Sequence, residues 1–366
     1  MKTLALTAFV LFAGGARPAE LHVFNWADYF APDTVSAFEK EFNCKITLDY
    51  IESSETLRAK LQGGRSGYDV VFPSDEVMPG FIAAGLLEKI DPAKVPNLKN
   101  LAARFRGLPY DAKNEYSIPY MWGTTGIAYN IKQVSPPPDS WAALWDPKYA
   151  GRATLLDDAL EAFAASMWLE GADPGRPTAD AIEKAKQRLL KARPLAYDSS
   201  PKQRLIKGEA WLSQCFNGDA LQAADAAERS ADIGYVIPKE GGTQWIDNMA
   251  IAKGAPNSDL AHKFLDYLLR PEVSAAISNE VFFANPNEAA QKLIKKEVLE
   301  NRFANPSEED LKRCALLSEL PTDLKKKLDD AWAEVKGSGS GGISFLMVGA
   351  VAMVVVLVVL FMIVKK

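Results

Sequence analysis

Through the body of the chain, short apolar runs alternate with segments whose apolar residues recur every three or four positions, the alternation of an α/β protein. Residues 21–25, 45–50 and 69–74 read as strands, and residues 32–42 and 55–63 as the helices between them. In open α/β sheets ligands gather at the carboxyl ends of strands, which is where residues 25–29 and 74–76 fall. Pro136-Pro137-Pro138 and the segment 141–151 break the alternation and mark entry into a second domain. Further on, a helix is expected to open at Asp157-Asp158 and run to about Glu170. Asp157 would cap it, and Asp158 and Glu161, three apart, would share one face. Acids at this position also complement the positive helix terminus without any ligand. No internal repeat is evident.

The two ends carry a different pattern. After Lys2, residues 4–13 hold no charge, and small residues follow at Gly14, Gly15, Ala16 and Ala19. This predicts a secretory signal peptide over 1–19, too short to span a bilayer. At the other end, residues 343–364 form 22 uncharged positions closed by Lys365-Lys366, long enough for a transmembrane helix. Between body and tail, residues 337–342 (Gly-Ser-Gly-Ser-Gly-Gly) read as a flexible spacer spanning roughly 13 Å. Together these predict an exported body held at the outer face of the inner membrane, with the terminal lysines on the cytoplasmic side.

About 315 residues remain between the ends, enough for two packed domains. The formal charge is −5, and setting aside Lys2, Arg17, Lys365 and Lys366 leaves −9 on the body. An acidic surface argues against nucleic acid and is compatible with attracting cations. Cys44, Cys215 and Cys314 have no metal-like spacing, and either one disulfide with a lone thiol or three small buried side chains would account for them. None follows the leader as a lipid-modified cysteine would.

The chemistry is concentrated in two aromatic–acid pairs, Asn25-Trp26-Ala27-Asp28-Tyr29 and Trp245-Ile246-Asp247. A ring face beside a carboxylate suits an alkylammonium, because the quadrupole holds the cation and the acid neutralises it. Taken alone, Trp245 could equally be a core aromatic, Asp219 a turn residue after Asn217-Gly218, and Asp75 and Glu76 solvated acids. Only His22 and His262 are available as imidazole bases, and neither lies in a recognisable catalytic motif. Asp158 and Glu161 could in principle cleave glycosides, but the aromatic–acid alternation fits a cation better. The tryptophans argue against a ferric-ion site, so no metal, cofactor or catalysis is expected.

Five ordered segments resemble the polyamine-binding receptors of bacterial ABC importers, the spermidine/putrescine-binding family. They are Phe24 to Tyr29, Val70-Val71-Phe72-Pro73-Ser74, the run from Ile118 to Asn130, Pro238-Lys239-Glu240-Gly241-Gly242, and the run from Phe264 to Pro271. The resemblance covers residues 21 to about 336 and not the tail. It implies a two-domain periplasmic-binding-protein fold, each domain a sheet flanked by helices, with domain 1 at 20–129 and 247–290 and domain 2 at 130–246 and 291–336. Carried over by position, it implies an aromatic clamp of Trp26, Tyr29 and Trp245 and ammonium-binding acids at Asp28, Asp158, Glu161, Asp219 and Asp247. Ser74 matches a polar residue of the cleft. Phe216 and Phe283 stand where relatives carry rings with a polar tip, and Ala27 where many carry a hydroxyl. Asp158 resembles the spermidine-type members and Asp219 the putrescine-type, which leaves ligand length open. The implied mechanism is closure on a linear polyamine about a hinge near Asn130 and Trp245, followed by docking on an ABC permease. A tethered polyamine sensor without transport, or a receptor for another organic cation, would carry the same cleft.

Overall fold

A computed structural model of the chain describes residues 18–226 and 232–339. Residues 1–17 of the leader expected over 1–19, the last three spacer positions and the apolar stretch 343–364 lie outside the described residues, whereas Ala19, the last position of that leader, is the first residue of a strand. Among the described residues, no helix is long and apolar enough to cross a membrane. The first three spacer positions are not coil, because they complete the helix Thr322–Gly339. Leu328, Ala331 and Val335 anchor one side of that helix in a core, and the turn beyond is closed by the Ser338 hydroxyl donating to the Val335 carbonyl at 2.8 Å.

The strands are β1 (Ala19–Trp26), β2 (Cys44–Ile51), β3 (Val70–Val71), β4 (Ile118–Asn130), β5 (Ala153–Leu156), β6 (Ala196–Asp198), β7 (Leu212–Phe216), β8 (Ile233–Val236), β9 (Gly242–Ile251) and β10 (Cys314–Leu316). They follow the order β2-β1-β3-β9-β4-β7-β5-β6, with β8 beside β4 and β10 beside β9. Helices α1 (Thr34–Phe42), α2 (Ser54–Leu61), α3 (Met78–Ala83), α8 (Ser258–Leu268) and α9 (Pro271–Val281) accompany the first lobe. The second lobe carries α4 (Ala159–Leu169), α5 (Ala179–Leu189), α6 (Lys202–Ile206) and α7 (Asn217–Ala226). The result is a two-domain α/β structure of the periplasmic-binding-protein kind. The apolar run at 69–74 yields only the two-residue strand β3, yet Val70, Val71 and Phe72 are fully buried, as befits a strand covered on both faces.

Two long strands join the lobes. Almost every residue of β4 is buried, and it pairs antiparallel with β9, setting Met121 opposite Asp247 and Gly123 opposite Trp245. Ile118, Tyr120 and Met121 pack in the first core, whereas Ile127 and Tyr129 pack in the second. Reading back along β9, Met249, Ala250, Ile251 and also Trp245 belong to the first core. The change of lobe on β4 thus falls in mid-strand, a few residues before Asn130. Cys44 and Cys215 are buried free thiols and Cys314 a half-buried one, so no disulfide links the three.

Candidate functional site

The strand ends converge on a cavity of about 330 Å³ between the lobes. β1 delivers Trp26, Asp28 and Tyr29, the loop after β3 delivers Ser74, and β5 leads into Asp158 and Glu161. β7 ends on Phe216, with Asp219 one step further in the first turn of α7, and β9 contributes Trp245 and Asp247 from its middle. Phe283 closes the wall behind α9. All eleven side chains singled out above therefore line one space. A larger cavity of about 530 Å³, lined by Trp168, Arg176, Arg313 and neighbours, lies away from these strand ends and carries charges of both signs.

Trp245 is the centre of the aromatic wall. It meets Phe216 edge to face at 5.8 Å and Phe283 at 5.1 Å, and Phe283 in turn meets Tyr29 at 5.4 Å. Glycines make this packing possible: a Cβ at Gly123 would overlap the Trp245 indole, and one at Gly218 would overlap the Phe283 ring. Trp245 is thus both a core aromatic and a cavity wall. The expected loss of polar tips at Phe216 and Phe283 leaves pure ring edges here.

Asp247 lies at the floor, 6% exposed, where the Tyr29 hydroxyl donates to it at 2.7 Å and the Ser74 hydroxyl donates to its other oxygen. Burial pushes its carboxyl up to about 6 despite those two donors. The same burial raises the Tyr29 phenol well above its ordinary value, helped by the adjacent Asp247 charge. Asp75 and Glu76 are not the solvated acids that their position beside Ser74 allowed. Asp75 is buried and accepts the Ile246 backbone N–H at 2.9 Å, and Glu76 accepts the Ser54 hydroxyl at 2.6 Å. Both carboxyls are raised, chiefly by burial.

On the opposite lobe the cap of α4 is Asp158 and not Asp157, since Asp158 accepts the Glu161 backbone N–H at 2.9 Å. Asp157 continues the β5–β6 pairing by one residue, its N–H donating to the Asp198 carbonyl at 3.2 Å, so the helix begins one residue later. The Asp157 carboxylate instead accepts from Lys336 at 2.6 Å. Glu161, 6% exposed, accepts the Thr125 and Thr243 hydroxyls at 2.9 Å each. Burial and the neighbouring Asp158 lift its carboxyl to about 8, and burial lifts Asp158 to about 6.

Asp219 is a helix residue whose carboxyl burial raises to about 6, with Lys202 pulling the other way. Lys202 is a participant that the sequence pattern did not single out. It opens α6 directly after the loop that leaves β6, and its ammonium donates to Asp28 at 2.6 Å and to Gln222 at 2.8 Å. Its position just past a strand's carboxyl end was the available signal. Asp28 itself has a left-handed backbone, φ 53°, a conformation that Asp tolerates better than most residues and that turns its carboxylate toward α6.

The lining thus holds nine carboxylates, Asp28, Glu52, Asp75, Glu76, Asp157, Asp158, Glu161, Asp219 and Asp247, against one basic side chain, Lys202. Asp28 meets Lys202 and Asp157 meets Lys336, but Asp75, Glu161 and Asp247 are buried and face no cation among the described residues. Buried carboxylates unmatched by charge are expensive, so the cavity is arranged for a cation whose body is apolar. Rings along one wall and acids at floor and ends can hold an alkyl chain carrying more than one ammonium.

Residues 33–302 match the family described as bacterial extracellular solute-binding protein. The putrescine-binding periplasmic protein SpuD of Pseudomonas aeruginosa is 36% identical over 355 residues, covering 91% of this chain and 97% of that protein. The putrescine-binding periplasmic protein PotF of Escherichia coli is 35% identical over 352 residues, with 91% and 95% covered. Among solved structures, the substrate-binding protein PotD of a spermidine/putrescine ABC transporter from Streptococcus pneumoniae superposes with a TM-score of 0.73 at 26% identity, covering 88% of this chain and all of that one.

Proposed function

Because this chain belongs to the bacterial extracellular solute-binding protein family, we propose that its acidic, ring-lined cleft receives a linear polyamine outside the cytoplasm and delivers it to an ABC permease. The observation that carries this reading is the lining itself: nine carboxylates and one lysine around a wall of Trp, Tyr and Phe. The names of the relatives point the same way. Each ammonium removed from water needs its own carboxylate, and the methylenes between lie against Trp26, Trp245 and Phe283. Cation–π contact adds roughly 0.5–2 kcal/mol per well-placed charge. The chain acts by binding, and its family is one of receptors.

The domain division 20–129 with 247–290 against 130–246 with 291–336 belongs to this proposal, with its boundaries drawn back into mid-strand, between Met121 and Ile127 on β4 and before Trp245 on β9, where the cores change, and with these paired segments as the flexing element. Closure follows because the ligand touches both lobes only when they approach. The apolar stretch 343–364 adds tethering at the inner membrane. Sedimentation of the full chain with the membrane fraction, lost on removing residues 343–366, tests that part.

Calorimetric titration of the purified chain with putrescine, cadaverine and spermidine tests the central reading. Saturable binding of at least one amine is expected, and none tighter than about 1 mM would overturn it.

A further inference from the structure

We propose that Lys202 is a specificity-determining residue: its side chain occupies one ammonium position of the cleft, so that the protein prefers diamines to triamines. The inference rests on the polyamine reading above and deepens it.

The candidate carboxylates fall into three groups around the cavity. Asp247 is matched by the Tyr29 and Ser74 hydroxyls. Asp158 and Glu161 are matched by a backbone N–H and by the Thr125 and Thr243 hydroxyls. Only the third group, Asp28 with Asp219, faces a cation, and that cation is the Lys202 ammonium. Chemically this ammonium is what a terminal amine of a polyamine would present: a primary amine on an apolar stem.

Its placement differs from that of an ordinary surface pair. The Lys202 side chain is 10% exposed, although Asp28 is 65% exposed. The ammonium is held from behind by Gln222, which is itself fixed by donating to the Val281 carbonyl at 3.0 Å. Asp28 reaches it from the other lobe through a left-handed backbone. A long flexible side chain is costly to order and to desolvate, and here Asp28 of one lobe and Gln222 of the other share in holding it. A ligand amine entering the same position would meet the Lys202 charge at close range and would have to displace it. The two remaining groups, at Asp247 and at Asp158 with Glu161, accept one ammonium each, which is the charge count of a diamine.

The test compares putrescine, cadaverine and spermidine by calorimetry on the full chain and on K202M, which keeps the stem and removes the charge. The native chain is expected to bind a diamine more tightly than spermidine. K202M is expected to shift the spermidine-to-diamine affinity ratio toward spermidine by at least about tenfold, while K202R, which keeps the charge, retains the native preference. A native preference for spermidine overturns the inference without any variant, so it stays exposed even if K202M does not fold. A ratio unchanged within about twofold in a folded K202M also overturns it, leaving the polyamine reading intact. If no amine binds to the native chain or to any variant, both fall.

Discussion

Asp247 shows what a single buried acid contributes here. Two hydroxyls hold it in place, but neither neutralises it, and burial keeps its carboxyl near 6. A bound ammonium would remove that imbalance. Asp247→Asn should therefore weaken amine binding by about 2–5 kcal/mol, read by calorimetry; an unchanged affinity would place Asp247 outside the binding chemistry. The raised carboxyls at Asp158, Asp219 and Asp247, each about 6, and at Glu161, about 8, also fix a pH dependence. An unfolded carboxyl titrates near 4, so between about pH 4 and 8 the folded chain binds more protons than the unfolded one. The stability these groups contribute is complete below the unfolded value and declines as pH rises through that window. The ligand-free chain should accordingly melt at a lower temperature at pH 8 than at pH 5.5. Amine binding reverses the preference by favouring ionised acids, so it should release protons and strengthen about tenfold per pH unit for each proton released. Binding heats that are identical in buffers of different ionisation enthalpy would count against this.

At the level of elements, the site is assembled by where strands stop. β1, β5 and β7 end within a residue or two of Trp26, Asp158 and Phe216, and the pattern of apolar runs was enough to place the first of these. The start of α4 was misplaced by one residue because two adjacent aspartates are equivalent as sequence; the extra β-type hydrogen bond from Asp157 to Asp198 separates them in space. Asn caps as well as Asp, so Asp158→Ala should be less stable than Asp158→Asn by about 0.5–2 kcal/mol in urea unfolding without ligand. Comparing the two variants cancels the loss of the carboxylate charge. Equal stabilities would mean that the cap contributes nothing measurable. Asp219 illustrates the converse: Asn217-Gly218 looks like a turn, but both residues lie in α7, and the glycine is required by the Phe283 ring beside it.

For the whole molecule, the field of the cleft should act before contact. Nine acids against one lysine, set between two low-dielectric lobes, concentrate cations at the entrance. The association rate of a diamine measured by stopped flow should fall several-fold or more between about 0.01 and 0.5 M salt, as screening shortens from roughly 30 Å to a few ångströms. A rate insensitive to salt would remove steering from the account. The lobes are also bridged across the rim: Arg58 of α2 meets Glu319 at 2.7 Å, and Lys202 meets Asp28 at 2.6 Å. Each pair keeps at least one partner largely out of water and joins the two lobes, so both bias the molecule toward closure.

The sequence by itself determined the α/β alternation, the strand-end location of the site and the residue types it needs, because periodicity and the chemistry of rings beside acids are local properties. The family resemblance then named the distant acids. Tertiary structure alone decided that Trp245 serves the core and the cavity at once, that Asp75 is withdrawn from water and Glu76 half-buried against Ser54, and that β4 changes lobes in mid-strand. It also decided that Lys202, unremarkable after Ser199-Ser200-Pro201, reaches Asp28 from 174 residues away. Burial and cross-lobe pairing depend on how separate segments meet, and no spacing along the chain encodes that meeting.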